Sequence, residues 1–108
     1  MNKAQRELNR MKAELVKAAA HPIRIAVIDC LRDGERCVCE ITRHVGAGRP
    51  NVSRHLALMT RVGLLDSRKE GLRVIYRLKA PCVVSVLPCV TEVIREQLKE
   101  NAKALQQL

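Results

Sequence analysis

Phenylalanine and tryptophan are absent from the 108 residues, and Tyr76 is the single tyrosine. Modules that hold single-stranded nucleic acid stack bases on aromatic rings, so that class is excluded. Any core has to be aliphatic, and 47% hydrophobic residues make one feasible. No apolar run approaches the ~20 residues needed to span a bilayer. The opening stretch, MNKAQRELNRMK, is too charged for a secretory signal, so a soluble cytoplasmic protein without a membrane partner is expected. A phosphate-cradling glycine loop is missing, and so is any evident nucleophile–base arrangement. We therefore expect no enzyme and no organic cofactor. Histidine occurs only at 21, 44 and 55.

Charge and sulfur are what the chain has in excess. The net charge is +9. Residues 43–79 carry nine Lys/Arg against two Asp/Glu, whereas residues 80–108 carry three of each. A basic block confined to one stretch is the electrostatic footprint of duplex DNA binding. The five cysteines stand at positions 30, 37, 39, 82 and 89. In a reducing compartment such clusters bind metal or do redox chemistry more often than they staple a fold, and an odd number fits a closed disulfide framework poorly.

The hydrophobic pattern gives a fold class: mainly α with a small β-hairpin (α+β), in a single domain spanning residues 1–108. Leu8, Met11, Leu15, Val16 and Ala19 recur at helical spacing and predict a helix over 3–20. Pro22 suits the first turn of a second helix, expected at 22–32 with Ile23, Ala26, Val27 and Leu31 inward. A short helix at 39–45 follows, then a turn at Gly46-Ala47-Gly48. The next helix runs to residue 62 with Val52, Leu56, Met59 and Val62 on its apolar stripe. Two helices around a tight glycine turn, here within 39–62, are the sequence form of a helix-turn-helix. From Leu64 the period changes to alternation, and residues 64–78 read as a basic hairpin, the wing of a winged helix-turn-helix. A long helix over 82–106 closes the chain, with Val83, Leu87, Val90, Ile94, Leu98 and Leu105 on one stripe. Pro88 marks a kink or the true start of that helix. The apolar faces of the two terminal helices exceed what so small a core covers, which predicts a homodimer built on them.

His21-Pro22-Ile23-Arg24, Cys37-Val38-Cys39-Glu40-Ile41, Ser53-Arg54-His55-Leu56-Ala57-Leu58, Gly63-Leu64-Leu65 and Tyr76-Arg77-Leu78 together resemble the arsenic-repressor (ArsR/SmtB) family of winged-helix repressors. The resemblance covers about residues 15–80. It implies a homodimer that sits on double-stranded operator DNA and leaves it when a toxic thiophilic ion binds. Where the family box often continues to a third cysteine, this chain has Thr42, which leaves the third ligand open. The family's C-terminal-helix zinc site, built on His with Asp/Glu, lacks its histidines here.

Thiolates select soft ions. A three-sulfur pyramid suits As(III) or Sb(III), the expected effectors; Cd(II) or Pb(II) would accept three or four sulfurs. Cys37 and Cys39 are the first two metal-ligand candidates. On an ideal helix residues i and i+2 point about 200° apart, whereas in extended backbone they share a face. Both sulfurs reach one ion only if the helix start is unwound. Cys89 and Cys82 are the candidates to complete the site, from the same or the other subunit, or else to form a separate site near the dimer axis, and Cys30 is read as core. On the reader, Ser53, Arg54 and His55 lie where a recognition helix meets DNA. Asn51 is read as a cap or a DNA contact. Arg49 is read as a phosphate grip, Lys69 and Arg73 at the wing tip as contacts to phosphates or the minor groove, and His55 alternatively as a hydrogen-bonded brace of the turn. The rival reading of the same thiols is a redox or persulfide sensor, with Arg36 and Arg43 lowering their pKa.

Overall fold

The computed structural model describes residues 1–108. Helix α1 (Lys3–Ala19) opens on a capping box in which Asn2 Oδ1 accepts the Gln5 N–H at 2.8 Å and the Gln5 side chain accepts the Asn2 N–H at 2.9 Å. The chain restarts almost at once as α2 (Pro22–Cys30), with Pro22 at the first position, where its missing N–H goes unneeded. His21 caps this helix by accepting the Ile23 N–H on Nδ1 at 3.0 Å.

After a turn comes a two-residue strand, β1 (Arg36–Cys37), which runs directly into α3 (Val38–Val45). Gly46 ends α3 at φ +74°, a left-handed conformation that glycine adopts without steric cost. Helix α4 (Arg49–Arg61) follows and closes in a Schellman motif: the Leu64 N–H donates to the Met59 carbonyl at 2.9 Å and the Gly63 N–H to Thr60 at 3.1 Å. Strands β2 (Leu65–Glu70) and β3 (Arg73–Leu78) form the wing hairpin, pairing from Leu65 with Leu78 to Glu70 with Arg73 across the Gly71-Leu72 turn. On its other edge β3 takes β1, Arg36 opposite Tyr76 and Cys37 opposite Ile75, so the antiparallel sheet has the order β1-β3-β2. A 3-10 turn (Pro81–Ser85) then leads into α5 (Val86–Gln106).

The core lies where α2, α3, α4 and the base of the wing meet. Val27 and Ile28, Ile41, and Val52, Leu56 and Met59 are fully enclosed there, joined by Leu31, Val38, Leu64, Leu65 and Leu78, and no polar side chain is buried with them. The terminal helices contribute little. Ala18 is the only buried residue of α1, and α5 has none. Leu8, Met11, Leu15 and Val16 on α1 and Val90, Val93, Ile94 and Leu98 on α5 stay exposed.

Several expected bounds shift, each for a local reason. The second helix ends at Cys30, two residues short of the expected bound, and residues 31–33 form turns that lead into Gly34 at φ +139°. The expected helix at 39–45 begins at Val38, since the N–H of Cys37 is taken by Glu40. The segment expected as one helix over 82–106 is a 3-10 turn before Val86, which leaves Pro88 in the first turn of α5, where proline removes no intrahelical bond. Cys82 therefore sits in the 3-10 turn and not on the long helix. Strand β1 is too short to leave a periodic trace in the sequence.

Candidate DNA-reading head and thiol site

Helix α4 is presented by its packing. Val52, Leu56 and Met59 face inward, which turns Ser53 and Arg54 to solvent on the opposite side. Arg49 and Pro50 fill its first two positions after Gly48, the N-cap residue. Asn51 does not cap this helix. It lies in the first turn, where its Oδ1 accepts from Arg54 NH2 at 3.2 Å and so braces that guanidinium. Lys69 and Arg73 flank the wing tip and are exposed. The head thus offers Arg49, Ser53 and Arg54 on one helix face, with Lys69 and Arg73 on the hairpin beside it.

His55 is turned the other way. It is half-buried, its ring stands 4.4 Å from that of His21, and its Nδ1 accepts from Arg24 Nε at 3.1 Å. A guanidinium can only donate, so Nδ1 carries no proton and the imidazole is neutral. Burial, then the proximity of His21, Arg24 and Arg54, hold its pKa below the ordinary histidine value. The same Arg24 reaches the Ala18 carbonyl at 3.3 Å. One arginine of α2 thus ties the end of α1 to the recognition helix. The second reading of His55 has it hold the turn by a hydrogen bond; the bond instead joins α4 to α2, and Arg24 carries no signal beyond its place in the His-Pro-Ile-Arg string.

The thiols occupy the hinge between sheet and helix. Cys37 is the last residue of β1 and the N-cap of α3, in extended backbone at φ −77° and ψ 161°. Its side chain is buried, 4% exposed, whereas Cys39, in the first turn of α3, is exposed. The Glu40 carboxylate accepts the Cys37 N–H at 3.2 Å through Oε1, and the sulfur faces the Glu40 amide, a capping box with sulfur in the place of a hydroxyl. Oε1 also takes Arg73 NH2 at 3.4 Å from the wing. The Arg73 guanidinium beside the thiol, and then the Glu40 amide at the helix start, lower the pKa of Cys37. A lowered pKa supplies thiolate, the form that binds ions and attacks disulfides.

Cys30 is half-buried against the core, and burial raises its pKa. Cys82 and Cys89 are exposed, on the 3-10 turn and on α5. The chain by itself brings no three His, Cys, Asp or Glu side chains together in a set able to hold a metal ion. Cys37 and Cys39 share a hinge; Cys82 and Cys89 belong to another part of the fold. Sequence reasoning missed Glu40, although Cys37-x-x-Glu40 has the spacing of a capping box.

The comparisons with known proteins meet at this head. Residues 21–67, which run from the α2 cap through α3 and α4 into the wing, match the family described as bacterial regulatory protein, arsR family. An uncharacterized HTH-type transcriptional regulator of Mycobacterium tuberculosis is 31% identical over 102 residues, covering 94% of this chain and 90% of that one. The arsenical resistance operon repressor of Escherichia coli is 41% identical over 66 residues, 60% of this chain and 56% of the repressor. Among solved structures, the homodimeric winged helix-turn-helix DNA-binding domain of a possible ArsR-family regulator from Mycobacterium bovis superposes with a TM-score of 0.75 at 29% identity, covering 93% of both chains.

Proposed function

The chain belongs to the ArsR/SmtB family of homodimeric winged-helix transcriptional repressors, and from that premise we propose that its effector is a thiophilic ion, arsenite or antimonite, captured by Cys37 and Cys39. The observation that carries this reading is the split placement of the two thiols: one buried and strand-paired to the wing, the other exposed on α3. They meet on one ion only if Cys37 swings out of β1 or the first turn of α3 unwinds. The first motion strips Ile75 of its partner, and the second displaces α3, whose Ile41 shares the core with Val52 of the recognition helix. Ligand and DNA thereby compete through shape.

The third sulfur comes from Cys89, or failing that Cys82, of the partner subunit; both are exposed, on segments next to the apolar face of α5. Arsenous acid exchanges its three hydroxyls for three thiolates, releasing three waters with the three thiol protons. Cd(II) and Pb(II) fit the same donors with a fourth added. On the operator, Arg54 and Ser53 face base edges, while Arg49 and Lys69 hold phosphates.

A second reading, a redox or persulfide sensor on the same hinge, is favoured by the lowered pKa of Cys37. X-ray absorption at the arsenic edge of the arsenite-loaded dimer decides between them. Three sulfur neighbours in the wild type and two in Cys39→Ser support ion capture. An oxygen shell around arsenic, together with operator release by peroxide alone, supports the redox reading.

A further inference from the structure

We propose that Glu40 and Arg73 are positioning residues that relay occupation of the thiol hinge to the wing, so that the effector moves two DNA-contacting elements and not one. This rests on the effector reading above. Glu40 Oε1 holds two donors at once: the Cys37 N–H at 3.2 Å, within its own capping box, and Arg73 NH2 at 3.4 Å, from the first residue of β3. Other wing ion pairs end elsewhere. Arg68 pairs with Glu35 in the preceding loop and with Glu70, and Arg77 with Asp66, both inside the hairpin. Arg73–Glu40 is the pair that ends on α3.

That pair is 61% and 43% exposed, and exposed ion pairs add little to stability. Its consequence is positional. When the two sulfurs converge, Cys37 turns out of β1 and takes its N–H from Glu40. The carboxylate follows the unwinding turn and carries Arg73 with it. The wing then leaves the place set by the Cys37–Ile75 register. Cys37 is thus wired to the wing twice, by backbone pairing and by this carboxylate.

Three variants of the full-length dimer isolate the relay. Glu40→Gln keeps an acceptor for the Cys37 N–H, since glutamine serves at that place in a capping box, but removes the charge that holds Arg73. Arg73→Gln removes the cation, and Arg73→Lys restores it. The readout is the ratio of operator affinities without and with arsenite, alongside arsenite affinity on DNA-free protein. Coupling in the wild type is expected within the usual range of about 5–150-fold; in Glu40→Gln and Arg73→Gln it falls at least about fivefold toward unity, and in Arg73→Lys it returns to within about twofold of wild type. Arg73→Lys, which keeps a cation beside the thiol, holds arsenite affinity near the wild-type value, and the ratio is read at saturating arsenite for every variant, so that weaker capture in Arg73→Gln does not enter it. Wild-type coupling in both Glu40→Gln and Arg73→Gln overturns the relay and leaves the effector reading standing. A wild-type ratio of one with arsenite bound, or no arsenite uptake at all, overturns the effector reading and the relay with it.

Discussion

Arg24 and His55 stand 31 residues apart in the chain, yet Arg24 Nε donates to His55 Nδ1 at 3.1 Å. That bond fixes the recognition helix against α2, and the same arginine also holds the end of α1. A hydrogen bond from a charged donor is worth about 1.5–3 kcal/mol, less where solvent reaches it. Arg24→Ala and His55→Ala are therefore each expected to lower stability by about 1–2 kcal/mol in urea unfolding of the dimer. Unchanged midpoints in both would contradict the brace.

Burial of the His55 ring, and then the charges around it, make stability depend on pH. A histidine whose folded pKa lies below its unfolded value of about 6.5 binds more protons when unfolded, so stability is full above that value and is lost as pH falls toward the folded pKa. The groups facing His55 are His21, Arg24 and Arg54, all of which disfavour its charge. Thermal unfolding between pH 8 and 5 should show a falling midpoint below about pH 6.5, with a shallower slope in His55→Gln. A rising midpoint on acidification would show that the imidazolium is welcomed there.

Leu15, Ile94 and Leu98 are exposed on the terminal helices. Burying a leucine side chain is worth about 1.5–3 kcal/mol, and a two-fold interface repeats each contact. If α1 and α5 form the dimer contact, Leu15→Glu and Leu98→Glu each raise the dissociation constant at least about a hundredfold, since two such losses add. Sedimentation velocity over a dilution series measures this directly. A dimer unaffected by both would place the contact elsewhere.

Arg54 is exposed and braced by Asn51. As a base reader it predicts that Arg54→Ala loses about 1–3 kcal/mol of operator affinity and relaxes preference at one position, whereas Arg49→Ala weakens all sequences alike and lowers the salt slope by about one. Equal losses on operator and random duplex would make Arg54 another phosphate contact.

Much of this architecture was legible from spacing. The inward residues Val52, Leu56 and Met59 are fully buried, and the alternation after Leu64 is the wing hairpin. The sequence also marked both cysteines of the hinge. What it did not reveal is long-range. Strand β1 exists because Cys37 finds Ile75 across 38 positions, Arg24 meets His55, and Arg73 reaches back to Glu40. No window of neighbouring residues encodes such pairings. The helix start at Val38 depends on the Cys37 N–H finding Glu40, and of the two readings of Pro88 the later helix start is the nearer one, α5 beginning at Val86.

Operator-binding anisotropy with and without arsenite, on the wild type, Cys37→Ser and Cys39→Ser, reaches the central claim most directly. Arsenite should release the wild type from a labelled operator and leave both serine variants bound. Full release of Cys39→Ser would contradict the account, as would a wild type that keeps its operator while arsenite is shown to occupy the two sulfurs.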